Sequence, residues 1–294
     1  MRGLISIEAV IVEFRSPVLT LRCIESLLAG GVEKIWIVDN SDDSGMTRSL
    51  LKSALPEGEI EILDAGGNLG FARGVNLGIE RCLGDRVLLI NNDAIVEGGA
   101  VSKLEAALDS EPSAAIAFPS LLHAGCRVER VYYNRWLPII TSRNWPGSYE
   151  VPRGCCMLLS RSRLPAGPLF DERFFMYGEE LQLGWKLDQA KIGITYVDSA
   201  LVVHVGSAAA VNGSAFYEER TALGHLLMQT EFSGGAAGSL RRFVGNSALV
   251  ARAVVRAMRG RSFVPIRAYL KARRAGAGKR VRMSSPEVSR SGRV

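Results

Sequence analysis

Short, mainly apolar runs at 7–12, 34–38 and 86–90, rich in Ile, Val and Leu, have the pattern of strands buried on both faces. Between them, residues 19–28 and 72–83 space their apolar positions at helical intervals, and a shorter strand is expected at 59–63. Polar or glycine-rich turns fall at 39–45 and 66–68. Alternating strands and helices predict an α/β domain built on a largely parallel sheet. Further along, 156–159, 194–197 and 200–203 read as strand pieces, and 170–187 as a turn feeding a helix. The stretch 123–149 is irregular yet carries Tyr132, Tyr133, Trp136, Trp145 and Tyr149. It is either a loop packed on the core by its aromatics or a recognition wall.

Past Phe232 the pattern changes. Residues 233–238 read as a flexible linker. In the helix expected next, Leu240, Phe243, Val244, Val250, Val254, Val255 and Met258 share one face, opposite Arg241, Arg242, Arg252, Arg256 and Arg259. The last stretch, with Gly276, Gly278, Ser284, Ser285 and Pro286, is expected to be disordered. The chain is thus expected to divide into a domain at 1–232 and a basic amphipathic extension at 233–294.

Charge sharpens this division. The net charge is +6, but 241–294 holds 15 Lys or Arg against the single acid Glu287, and the other 21 basic residues face 29 acids. An acidic body joined to a basic tail points to a polyanionic partner, and the tail's apolar face favours an anionic membrane over nucleic acid. No apolar run approaches the eighteen or so residues that span a bilayer, and Glu8 interrupts any leader-like segment. The expected location is the cytoplasm, peripheral at the inner face of the membrane. The five cysteines lack any Cys-x-x-Cys spacing and read as reduced and structural.

Three segments carry candidate chemistry. Asn91-Asn92-Asp93 ends an apolar strand, as does Asp39, and ligands gather at such ends in open α/β sheets. Phe174-Phe175-Met176-Tyr177-Gly178-Glu179-Glu180 places two acids after an aromatic cluster at the start of a helix. One of these acids is a candidate general base, although acids also favour helix N-termini without any catalytic role. His204 lies in an apolar strand piece, where a lone histidine is commonly a satisfied core residue.

In series, these residues resemble the family 2 glycosyltransferases of the GT-A fold, most closely the bacterial rhamnosyltransferase-like branch. The resemblance covers about 5–230 and rests on Val38-Asp39-Asn40-Ser41, the Asn68 to Gly78 segment, Asn91-Asn92-Asp93, Phe170-Asp171-Glu172 through Glu179, and His204. It implies a nucleotide-sugar donor, dTDP- or UDP-linked, whose pyrimidine Asp39 would read. Asn68, Arg73, Asn76 and Asn92 would line the nucleotide and diphosphate. Asp93 and His204 would hold Mg²⁺ or Mn²⁺, and Glu180, or Glu179 in its place, would be the base of an inverting transfer. The acceptor would be a saccharide or a polyprenyl-diphosphate-linked glycan. Three departures stand out: Glu180 replaces the usual Asp, Gln182 replaces an acid, and Glu13-Phe14-Arg15-Ser16 replaces Thr-Tyr-Asn-Arg. They leave open a catalytically degenerate nucleotide-sugar-binding scaffold.

Overall fold

The computed structural model describes residues 7–55, 58–206, 213–232, 234 and 238–277. Most of the expected linker and the expected disordered end from 278 onward lie outside the described residues. The first half runs β1 (Ile7–Glu13), α1 (Pro17–Ala29), β2 (Lys34–Asp39), α2 (Met46–Ala54), β3 (Ile60–Asp64), α3 (Phe71–Ile79), β4 (Arg86–Asn91), β5 (Ala94–Val96), α4 (Ala100–Ser110) and β6 (Ala114–His123). There follow β7 (Cys126–Val128), β8 (Val131–Asn134), β9 (Ile140–Thr141), β10 (Ser148–Val151), β11 (Cys156–Ser160), α5 (Glu179–Ala190), β12 (Gly193–His204), α6 (Ala215–Glu231), α7 (Gly238–Gly260) and α8 (Val264–Ala277).

A nine-stranded sheet of order β3-β2-β1-β4-β11-β6-β12-β5, with β7 paired to β6, forms the centre. Strands β3, β2, β1 and β4 pair in parallel, and the mainly apolar runs of β1, β2 and β4 suit a sheet covered by helices. Beyond them β11 runs antiparallel to both β4 and β6. Its first residue therefore lies at the sheet edge where β4 ends. The two expected strand pieces at 194–197 and 200–203 form one strand, β12, whose register against β6 shifts between Val197 and Leu201.

Residues 123–149 are not a plain loop. Strands β10, β8 and β9 make a second, three-stranded antiparallel sheet. Tyr133 and Tyr149 sink from it into a cluster with Phe174, Leu181, Met228 and Phe232, while Trp145 stays exposed.

The tail departs most from expectation. Helix α7 packs inward through Gly245, Leu249, Ala253 and Ala257, a stripe spaced by four, and α8 runs on through Gly276 as helix. Small residues line the contact because a Cβ on Gly245 would come within 2.0 Å of Gln229 Oε1. Arg256 Nε lies 3.0 Å from both carboxylate oxygens of buried Glu218. Arg252 donates to His225 Nε2, leaving Nδ1 to donate to Tyr133 Oη at 2.9 Å. Burial, with the Arg252 charge beside it, pushes the His225 pKa well down, so the ring is neutral. The large apolar residues picked out on the helical wheel face outward instead: Phe243 is 71% and Met258 74% exposed.

Because α7 is docked, Leu249→Ala is expected to cost about 2–4 kcal/mol of stability. Urea unfolding measures it; a loss below about half a kcal/mol would mean that the tail does not pack on α6.

Candidate active site

The strand registers bring three polar tips to one edge. Glu13 aligns with Asp39 across β1 and β2, and Val12 aligns with Asn91 across β1 and β4. Glu13 is wholly buried and accepts from the Ser16 amide, from Thr20 Oγ1 and, at 2.8 Å, from Asn92 Nδ2. Burial raises its pKa and these donors offset part of the rise. The departure at 13–16 thus builds a bracket that orients Asn92. Asp39 is 1% exposed; its Oδ1 accepts from the Ser41 amide, and its Oδ2 lies 3.1 Å from Arg48 Nε, whose Nη1 reaches Asp64 Oδ2 at 2.7 Å.

A loop closes over this edge. Asn40 Oδ1 accepts from the Leu69 amide at 2.8 Å, and Asn68 Oδ1 accepts from the Gly70 amide at 3.0 Å. Gly70, at φ +84°, has no substitute: a Cβ there would fall 2.4 Å from the Phe175 carbonyl oxygen, which accepts from the Phe71 amide at 2.7 Å. A cavity results, with Asn40, Asn68, Asn91, Asn92 and Asp93 on its polar wall and Phe71, Phe175, Met176 and Phe216 opposite. Arg73 and Asn76 do not line it. Arg73 pairs with Glu172 at 3.2 Å, and the buried Asn76 side chain clasps the Phe170 backbone, donating at 2.9 Å and accepting at 3.0 Å.

Asp93 and His204, far apart in sequence, meet because β12 pairs with β5 and sets His204 opposite Ala94; the Val205 amide then donates to the Asp93 carbonyl. His204 Nε2 lies 3.1 Å from Asp93 Oδ1 but out of hydrogen-bond alignment. His204 Nε2 and Asp93 Oδ2 are both buried without a hydrogen-bond partner. An orphaned carboxylate oxygen beside an orphaned imidazole nitrogen fits Mg²⁺ or Mn²⁺. Among the described residues no group of three or more His, Cys, Asp or Glu could hold a metal ion.

The acid pair opens α5. Glu179 is 2% exposed, with Oε2 unpartnered, and burial, aided by the Glu180 charge, drives its pKa well above the carboxylate range. Burial also raises the Glu180 pKa, but backbone N–H groups of the helix start and the Arg153 charge pull it back. Glu180 lines a second cavity with Arg153, Gly154, Tyr177, Tyr217, Thr221 and His225. The two cavities are neighbours: Met176 and Phe216 face the first, and the next residues of the chain, Tyr177 and Tyr217, face the second.

Residues 9–164 match the family model described as glycosyl transferase family 2. The chain belongs to this family. Two curated relatives, each an N-acetylglucosaminyl-diphospho-decaprenol L-rhamnosyltransferase from a strain of Mycobacterium tuberculosis, are 28% identical over 211 residues. That match takes in 58% of this chain and 66% of the relatives, a little under two thirds of their length. Among solved structures, GalNAc-T7 with UDP, GalNAc and Mn²⁺ superposes at a TM-score of 0.59, with 13% identity over 83% of this chain and 54% of that one. The Pyrobaculum calidifontis mannosyltransferase PcManGT with GDP-Man and Mn²⁺ gives 0.58, with 11% identity over 92% and 86%. These likenesses show the GT-A fold that the sequence motifs imply.

Sequence motifs therefore lead to Asn68, Asn92 and Asp93 on the first cavity and to Glu180 on the second; Asp39 is buried and does not line the first cavity, nor does His204, which lies beside Asp93. Arg48, Arg153 and Gly154 escape them. Arg153-Gly154 reaches the edge only because β11 runs antiparallel to β4, which no hydrophobic spacing reveals.

Asp93→Ala and His204→Ala are each expected to weaken Mn²⁺-dependent binding of dTDP by more than about tenfold, since even indirect support of a metal is worth that much. Calorimetric titration with and without Mn²⁺ checks this. Unchanged metal dependence in either variant would remove that residue from the metal site.

Proposed function

We propose that this family member is an inverting glycosyltransferase, with L-rhamnose from dTDP-L-rhamnose as the best-supported donor sugar. It would act on a hydroxyl of a saccharide or polyprenyl-diphosphate-linked acceptor in cell-surface polysaccharide or glycoconjugate synthesis. One observation carries the reading: orphaned metal-ligand atoms lie at the first cavity and the Glu180 carboxylate lines the second, and the chain neighbours Met176-Tyr177 and Phe216-Tyr217 divide between the two linings. The function of the rhamnosyltransferase relatives supports the sugar and the acceptor class.

In this proposal the nucleotide occupies the first cavity. Asp39 accepts the pyrimidine N–H, its carboxylate held in place by Arg48. The Asn68-to-Gly70 loop and Asn92 face the sugar diphosphate. Mg²⁺ or Mn²⁺ bound at Asp93 and His204 would neutralise charge developing on the leaving diphosphate. From the second cavity, Glu180 takes the proton of the acceptor hydroxyl as that oxygen bonds to the anomeric carbon and the bond to the diphosphate oxygen breaks. Glu179 is buried away from both cavities, and its burial anchors the helix that carries Glu180. The orphaned atoms at Asp93 and His204 and the place of Glu180 in the second cavity favour a working enzyme over a degenerate scaffold.

The C-terminal helices support docking on an anionic membrane, where a lipid-linked acceptor would lie. Between 238 and 277 there are ten Lys or Arg and no acid, beside exposed Phe243, Met258 and Phe263. Among the described residues no helix is long and apolar enough to cross a membrane.

Glu180→Gln is expected to keep dTDP binding and lose transfer by about two to four orders of magnitude. Transfer from dTDP-L-rhamnose to an N-acetylglucosaminyl-diphospho-prenol is the assay, and near-normal turnover would refute the base assignment. Arg153→Gln removes the charge that lowers the Glu180 pKa, so the acid limb of the kcat profile is expected to move to higher pH, with activity regained above it. A limb that does not move would separate Arg153 from the base. Phe243→Asp with Met258→Asp is expected to abolish sedimentation with phosphatidylglycerol vesicles, whereas unchanged binding would leave the apolar strip without a role in docking.

A further inference from the structure

Glu180 is one methylene longer than the Asp usual at its position, and the structure has a space that accepts the excess. Gly154 precedes β11 at the sheet edge where β4 ends, held there by the hydrogen bond from the Asn91 amide to the Cys155 carbonyl at 2.9 Å. A Cβ built on Gly154 would lie 2.3 Å from Glu180 Oε1, 2.9 Å from its Cγ and 3.0 Å from its Cδ. The crowded atoms belong to the acid and to no backbone. Glu180 therefore lies folded over the bare face of Gly154, with Arg153, the preceding residue, lining the same cavity.

We infer that Gly154 is a positioning residue for the transfer reaction: its missing side chain is the space that lets Glu180 hold its carboxylate in the second cavity. The inference rests on the reading of Glu180 as the base. A methyl group at 154 could be accommodated by swinging the acid aside, a movement cheap for the fold because only the far end of a flexible side chain gives way. That movement displaces the carboxylate by an ångström or more, enough to cost about a hundredfold in rate where the geometry of attack is strict. A purely structural glycine would behave in the opposite way, losing stability rather than turnover. Acid length should also matter. A shorter carboxylate at 180 draws back from the added methyl, so the two positions are coupled energetically as contacting residues are.

The experiment is a double-mutant cycle of Gly154→Ala and Glu180→Asp, with Glu180→Gln alongside. It reads kcat and donor KM for transfer from dTDP-L-rhamnose to an N-acetylglucosaminyl-diphospho-prenol, together with the melting temperature. Gly154→Ala alone is expected to lower kcat about a hundredfold, with donor KM and melting temperature close to those of the parent. In the chain already carrying Glu180→Asp, Gly154→Ala is expected to lower kcat by less than about threefold, as coupled sites do. If Gly154→Ala fails to fold alone, Glu180→Asp in the same chain must restore both folding and turnover. Parental kcat in Gly154→Ala, an equal hundredfold loss in both backgrounds, or a double variant that stays unfolded would each overturn the inference. An inactive Glu180→Gln with an active Gly154→Ala would reject the role of Gly154 alone. An active Glu180→Gln would reject the base reading and the inference with it.

Discussion

The cost of burying carboxylates governs this structure. Glu13, Asp39, Asp93 and Glu179 all sit at strand or helix ends with exposures of 4% or less, where an uncompensated charge costs several kcal/mol. Each is treated differently. Glu13 is surrounded by donors, Asp39 is ion-paired with Arg48, and burial drives the Glu179 pKa well up. Glu179 and Asp93 each keep one oxygen without a hydrogen-bond partner, but only that of Asp93 belongs to a carboxylate that sits beside an unpartnered histidine nitrogen, His204 Nε2. The polarity of the cleft, the fit to a divalent cation and the separation of roles between Glu179 and Glu180 all follow from these four solutions.

Much of this was legible in the sequence because the signals were strong and local. The apolar runs of β1, β2 and β4 read as buried parallel strands, and the polar residues that end them were placed correctly at one edge. The motif series led to the family and the GT-A fold. Strands of two to four residues, as in β8, β9 and β10, are too short for any periodicity to register. The position of Arg153 and Gly154 depends on the direction of β11, a property of the whole sheet. On α7 the helical wheel found the exposed apolar strip and missed the stripe that packs inward, Gly245, Leu249, Ala253 and Ala257. Close approach to α6 selects small residues, and Gly245, Ala253 and Ala257 carry little weight on any hydrophobic scale.

Docking of the tail also ties it to the chemistry. The chain of hydrogen bonds from Arg252 through His225 to Tyr133 begins on α7 and ends in the small sheet, and His225 itself lines the cavity that holds Glu180. Helix α7 thus stands behind the wall of that cavity, braced on His225 of α6 through Arg252, while its outer face remains apolar.

The central claim is that one carboxylate, Glu180, drives a single displacement between the two cavities. The stereochemistry of transfer tests it most directly. Proton NMR of the product formed from dTDP-L-rhamnose should show the anomeric configuration of the transferred sugar inverted relative to the donor. Retained configuration would require a second displacement that Glu180 alone does not supply, and would contradict the account.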